Sequence, residues 1–239
     1  MTRPIELEAA ERRFGNGRTQ VIALHPTTLG VERGELLAIM GPSGSGKTTL
    51  LSLVGGLDRA TGGRVLVEGK DIGQMSPSQL ALLRRRTVGY VFQDLNLLAG
   101  LTARENVSLP LELDGARVAA AQALAAQALQ SVGLGHLADR YPDDLSGGEQ
   151  QRVAIARALV GGRGIVLADE PTGALDSMTG ESVMRLLRNH CDTGGTAVLV
   201  THDAAHAAWA DRVVFLRDGR VVDEARTAPT QEFSVGTTA

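Results

Sequence analysis

Short, nearly continuous apolar runs recur at residues 36–40, 88–92, 165–168, 196–200 and 212–216. Such runs, bounded by turn residues, predict buried strands. Residues 5–14 alternate more loosely and end at Gly15, Asn16 and Gly17, a turn signal. A second strand region, 21–31, closes at Arg33 and Gly34, and a short strand at 64–68 is followed by Gly69. Ser76, Pro77, Ser78 and Gln79 have the form of a capping box with proline at the first helical position, predicting a helix to about residue 85. From 94 to about 160 the rhythm becomes helical. Thr102 to Glu105 spells a second capping box, and Val118, Ala121, Leu124, Ala125, Ala128, Leu129 and Val132 form an apolar stripe at helical spacing. A further helix is predicted at about 179–189. This order predicts an α/β fold: a mostly parallel sheet covered by helices, an antiparallel β-subdomain at the start, and an α-helical subdomain inserted at about 94–160. We read 1–239 as a single domain, with core segments 1–93 and 161–224 and a weakly ordered polar tail at 225–239.

The run at 36–40 leads into Gly41, Pro42, Ser43, Gly44, Ser45, Gly46, Lys47 and Thr48, and Thr49 continues a leucine-rich helix. This is the G-x-x-x-x-G-K-[ST] spacing of a P-loop. Its glycines let successive backbone amides point at one anion, and the helix beginning near Gly46 adds its positive end. Lys47 supplies a point charge for outer phosphates, and the Thr48 hydroxyl is a magnesium ligand in such loops. A nucleoside phosphate is therefore the predicted ligand.

The run at 165–168 ends in Asp169 and Glu170. Paired with a P-loop, Asp169 is placed to hold magnesium, and Glu170 to orient or deprotonate an attacking water. Pro171 is expected to restrict Glu170 to extended backbone. Leu145, Ser146, Gly147, Gly148, Glu149 and Gln150 permit two readings. Ser146 and Glu149 make a capping box for a helix at 150–160. Glycines in the first turn also leave amides bare, as an anion site requires.

Composition narrows the classes. Hydrophobic residues are 43% of 239, ample for a core, while aromatics are 3%, so aliphatic side chains and alanine must fill it. The net charge of −3 argues against a nucleic-acid partner held by a broad basic surface. The sole cysteine, Cys191, excludes an internal disulfide and reads as a small buried apolar group. No apolar run approaches the length of a membrane span.

Taken together, the P-loop, Gln93 after a strand, residues 145–150, the strand ending in Asp169 and Glu170, Ala174 to Asp176, and Thr201 to Asp203 resemble the ATP-binding subunits of ABC transporters. The resemblance covers roughly residues 5–224 and implies a RecA-like P-loop NTPase core, ATP with Mg2+ as cofactors, and ATP hydrolysis. It implies that Ser146, Gly147, Gly148 and Glu149 form the signature that completes the site of a second copy, in a head-to-tail homodimer. It further implies that Gln93 senses the metal and the attacking water, that His202 contacts the γ-phosphate, that Asp176 works across the interface, and that Phe14 stacks on adenine. A core phenylalanine before a turn fits Phe14 as well. Glu149 stands where glutamine is commoner.

Within the family the chain is similar to the MacB and LolD group, on Gly55, Gly56, Leu57 and Asp58, the small Ala168, and the run from Ala168 to Ser177. This implies a membrane permease with a large extracytoplasmic domain as partner, no nucleic acid, and a place on the cytoplasmic face of the plasma membrane through that permease. Leu95, Leu97, Leu98 and Leu101 then suit either the permease groove or ordinary packing. An FtsE-like regulator of cell-wall hydrolases is the alternative, ahead of a soluble non-transport ATPase.

Overall fold

The computed structural model describes residues 2–173 and 177–226. A four-stranded antiparallel sheet contains β1 (Ile5–Phe14), β2 (Val21–Val31), β4 (Gly62–Val67) and the short β5 (Lys70–Asp71), in the order β2-β1-β4-β5. The second sheet contains β3 (Leu36–Met40), β6 (Val88–Val91), β7 (Ile165–Asp169), β8 (Thr196–Val200), β9 (Arg212–Arg217) and β10 (Arg220–Arg226). Its order is β10-β9-β3-β8-β7-β6, and every pairing is parallel except β10 with β9.

The strands β3, β7 and β8 are buried on both faces, which is why their sequences are continuous apolar runs rather than alternating ones. Successive side chains still part by period two. Leu37, Ile39, Ile165, Leu167, Val198 and Val200 enter the core shared with the antiparallel sheet and α1 (Lys47–Val54). Leu36, Ala38, Val166, Ala168, Ala197 and Leu199 enter the core under α6 (Ser177–Asp192). Each fully buried Leu or Ile in these layers contributes roughly 1.5–3 kcal/mol.

Helix α2 (Pro77–Arg86) starts on the expected Ser76/Gln79 box. The helical segment holds α3 (Ala103–Leu113), α4 (Val118–Ser131) and α5 (Gly147–Leu159), around a third core that includes Val107, Ala125, Leu129, Val153 and Ala156. Its attachment to the large sheet is close. A Cβ at Gly89 of β6 would stand 2.1 Å from the Ala158 carbonyl oxygen of α5. The short α7 (Ala204–Ala207) follows β8.

Three expectations change. The stripe on α4 is narrower than its apolar residues suggest: Ala121, Ala125, Leu129 and the following Val132 are buried, whereas Val118 and Leu124 face solvent. Strand β10 extends through Arg226, so Ala225 and Arg226 belong to the sheet rather than to a tail. The remainder of that tail, 227–239, lies outside the described residues. Glu170 is not extended: its φ is +48°, in the left-handed region. The turn is held by a tertiary bond from the Glu170 amide to Val200 O at 3.0 Å and a local turn bond from the Gly173 amide to Glu170 O at 3.1 Å, which together override the proline preference.

Candidate active site

The loop between β3 and α1 begins and ends at positions only glycine can hold. Gly41 and Gly46 have φ of +154° and +100°, and a Cβ on either would lie 2.0 Å from Leu216 O or 2.4 Å from Ala23 O. Gly46 caps α1, leaving the first amides of that helix directed at the loop's interior. Lys47 is nearly buried, and its Nζ donates to Gly41 O at 2.8 Å and Pro42 O at 2.9 Å.

Around this loop lies a cavity of about 680 Å³, within the range of small-molecule sites. Gly41, Pro42, Ser43, Gly44, Gly46, Lys47, Thr48 and Thr49 line one wall, facing Gln93, Asp169, Glu170 and His202. Asp169 is buried at the end of β7, and desolvation lifts its carboxyl above the ordinary carboxylate range. A hydrogen bond from Thr48 and the charge of Lys47 oppose that rise, while Glu170 adds to it. The Glu170 Oε1 lies 2.9 Å from His202 Nδ1. That bond and the carboxylate's charge raise the His202 imidazole above its ordinary value. Ahead of Gln93, Tyr90 and Phe92 stack with ring centroids 4.2 Å apart, and Tyr90 packs against Gly55 at the end of α1.

Other predicted residues lie elsewhere. Ser45 is buried beneath the loop, its hydroxyl without a partner, and does not line the cavity. Phe14 is half exposed and away from the cavity wall, with the Arg12 guanidinium 4.4 Å over its ring. Ser146 caps α5 by accepting from the Glu149 amide, and the Glu149 Oε2 accepts from the Ser146 amide and hydroxyl, each at 2.8 Å. Those bonds hold the Glu149 carboxyl below the usual range. Ser146 and Gly147 are exposed, a Cβ at Gly147 would meet open space, and neither they nor Gly148 and Glu149 line the cavity of their own chain. Asp176 lies outside the described residues. Leu95 and Leu97 pack against the cores, while Leu98 is 49% exposed.

The cavity also contains Ala23, Asp94, Gln151 and Gly173, which the motifs did not single out. Gln151 was legible in principle: it shares a helical stripe with Ala154, Ile155 and Ala158, all buried. Arg157 was missed as well. Its guanidinium donates to Leu95 O and Asn96 O at 2.6 Å each, pinning a turn in which both residues have positive φ. Cys191 is buried as expected, and burial pushes its thiol up to about 12.

Comparison with known proteins adds a family context. Residues 24–173 match the model of the ABC transporter family. The chain is 48% identical over 220 residues to the macrolide export ATP-binding/permease protein MacB of Brucella melitensis, covering 92% of this chain and 34% of that protein. For MacB of Hyphomonas neptunium the figures are 46% over 225 residues, 94% and 35%. The chain thus spans about a third of the length of these curated relatives. Among solved structures it resembles the ATP-binding cassette MJ0796 in a dimeric post-hydrolysis state bound to ADP and Pi. The TM-score is 0.89 at 39% identity, covering 94% of this chain and 99% of that one.

Proposed function

The chain belongs to the ABC transporter family and is an ABC-type ATPase cassette, and on that premise we propose that it is the motor subunit of a MacB/LolD-type membrane complex. Two copies would enclose two ATP molecules head to tail, each triphosphate held by the Lys47 loop of one copy and the Ser146 helix start of the other. One observation carries this reading. Lys47, Thr48, Gln93, Asp169, Glu170 and His202 converge on one cavity, while the second anion-ready helix start stays exposed and off it.

The residues around Asp169 fit a magnesium ion. Thr48, Gln93 and Asp169 offer only oxygen donors, and a cation there would relieve the desolvated carboxylate. Bound magnesium would draw charge from the outer phosphates. Lys47 would exchange its loop carbonyls for phosphate oxygens. Glu170 would accept the proton of the attacking water, a role worth on the order of 10²–10⁴ in rate. His202, already bonded to Glu170, would fix that carboxylate and face the γ-phosphate. Asp176 is assigned to the interface and Phe14 to the adenine on family likeness.

Closure of the dimer would be driven by contacts that exist with ATP and are lost with ADP, since only a difference in affinity can do work. Among the described residues no helix is long and apolar enough to cross a membrane. On likeness to the MacB ATP-binding/permease relatives, attachment to the membrane is assigned to a permease with a large extracytoplasmic domain, with the cassette on the cytoplasmic face. The leucines after Gln93 are its proposed contact.

The test is Glu170→Gln in the full chain. ATP affinity should persist while turnover falls by roughly a hundredfold or more, and the protein should elute as a dimer with ATP. Wild-type turnover would remove Glu170 as the base, and a monomer saturated with ATP would remove the sandwich. Purification of the native complex with a permease of that architecture would support the motor role; recovery with a cell-wall hydrolase regulator would redirect it.

A further inference from the structure

Gln151, on α5, is 2% exposed and lines the nucleotide cavity, yet its Nε2 has no hydrogen-bond partner. A buried amide donor left unpaired loses its hydration and gains nothing in exchange, so native structures keep few of them. Its neighbours on the buried face of α5 are Ala154, Ile155 and Ala158, which offer no polar side chain. The cavity that Gln151 lines is the side on which its donor can meet an acceptor.

The acceptors there can be counted. Gly41 O and Pro42 O accept from Lys47. Asp169 accepts from Thr48 and the Glu170 Oε1 is bonded to His202, and the proposed function assigns their remaining oxygens to the metal and the attacking water. In the turn after β6, Phe92 O accepts from the Leu95 amide at 3.0 Å, and Asp94 O accepts from the Asn96 amide at 2.6 Å. Leu95 O and Asn96 O are held by Arg157. Among the described residues of that turn that line the cavity, the oxygens left are those of Gln93 and the Asp94 carboxylate. Both residues are exposed at the rim and have room to move. A carboxylate in Asp94's place would be drawn towards water, whereas an amide oxygen loses less by entering a closing cavity.

We propose that Gln151 is a positioning residue for Gln93. As the site closes on nucleotide, the Gln151 Nε2 donates to the Gln93 Oε1 and fixes which end of that amide faces the phosphates. The Gln93 oxygen has two lone pairs, so one bond to Gln151 leaves the other free for the site. Because Gln151 stands on the helix that Ser146 begins, the bond also ties the sensing glutamine to the helix start offered to the second copy. This inference rests on the cavity being the ATP site.

The experiment compares Gln151→Met, which keeps volume and removes the amide, with Gln151→Glu, which keeps an acceptor and removes the donor. Each is made in the full chain, alone and with Gln93→Ala. Turnover by Gln151→Met should fall about three- to tenfold, the size of one hydrogen bond, with the KM and the equilibrium affinity for a fluorescent ATP analogue within about twofold. Gln151→Glu should behave alike. In the Gln93→Ala background either substitution should change turnover by less than about twofold, because coupled residues are not additive.

A readout free of hydrolysis accompanies this. The Gln151 side-chain amide resonance, assigned by its loss in Gln151→Met, should move downfield when ATP is added, and stay unmoved in Gln93→Ala. Equal fractional losses in both backgrounds, full turnover in Gln151→Glu, a loss confined to melting temperature, or a resonance indifferent to ATP would each overturn the proposal. A wild-type chain that binds ATP and shifts this resonance without hydrolysing would instead defeat the ATPase reading alone.

Discussion

His202 Nδ1 and Glu170 Oε1 stand 2.9 Å apart, joining a largely exposed imidazole to a carboxylate that is mostly covered. The bond, and then the carboxylate's charge, favour protonated His202 and raise it above the ordinary value of 6.5. A raised value means that the pair's contribution is complete below 6.5 and is lost as pH climbs through the higher value. An NMR titration of the His202 ring should place its midpoint above that of a free histidine, and Glu170→Gln should return it to the ordinary range. A midpoint indifferent to Glu170→Gln would show that the pair does not persist in solution.

Glu149 brings a negative charge to the helix start assigned to a second copy's triphosphate. Its oxygen accepts from Ser146, which holds it ionised. Helix α2 uses Gln79 for the same box on Ser76, so a glutamine satisfies this geometry. Glu149→Gln should therefore leave the melting temperature within about 2 °C while tightening the ATP-driven dimer, since repulsion of the phosphates is removed. Sedimentation of both proteins in the Glu170→Gln background measures this. An equal or weaker dimer would separate Glu149 from the phosphate site.

Gly89 fixes how close the helical segment lies to the large sheet. A Cβ there would meet backbone atoms of Ala158, its oxygen at 2.1 Å and its carbonyl carbon at 2.8 Å, rather than a side chain able to turn away. Gly89→Ala should cost about 2–3 kcal/mol and lower the melting temperature by roughly 5–10 °C. Thermal unfolding tests it, and a shift under about 2 °C would mean that α5 floats over β6 more freely than its packing implies.

Much of the fold was legible because its determinants are local. The Ser76, Thr102 and Ser146 boxes each form as their spacing dictates. The doubly buried strands announce themselves by losing alternation. What escaped depends on tertiary contact. The backbone of Glu170 is tied to the neighbouring strand by its bond to Val200 rather than set by Pro171. Leu124 joins an apolar stripe in sequence but turns outward, since α4 meets its neighbours along Ala121, Ala125 and Leu129. Gln151 and Arg157 are polar residues on a helix whose buried face only the assembled sheet defines. The cavity's P-loop, Asp169 and Glu170 were legible from spacing, and Gln93 from the resemblance to the family. The separate position of Ser146 carries meaning only alongside a second copy.

That separation yields the sharpest prediction. In a head-to-tail pair each site takes its lysine loop from one copy and its serine helix start from the other, and the two-fold relation makes both sites equivalent. Lys47→Ala removes the loop's charge from both sites, and Ser146→Arg crowds both helix starts at an exposed position that does not disturb the core. Each variant alone should hydrolyse ATP poorly. Mixed together, they form pairs in which one site carries both lesions and the other carries neither. Turnover by the mixture should therefore exceed the average of the two variants measured separately, and should depend on total protein concentration as exchange of partners requires. A site completed within a single chain would contain one lesion in every copy, and mixing would restore nothing. Turnover of the mixture equal to that average, with dimers present by sedimentation, would reject the shared site.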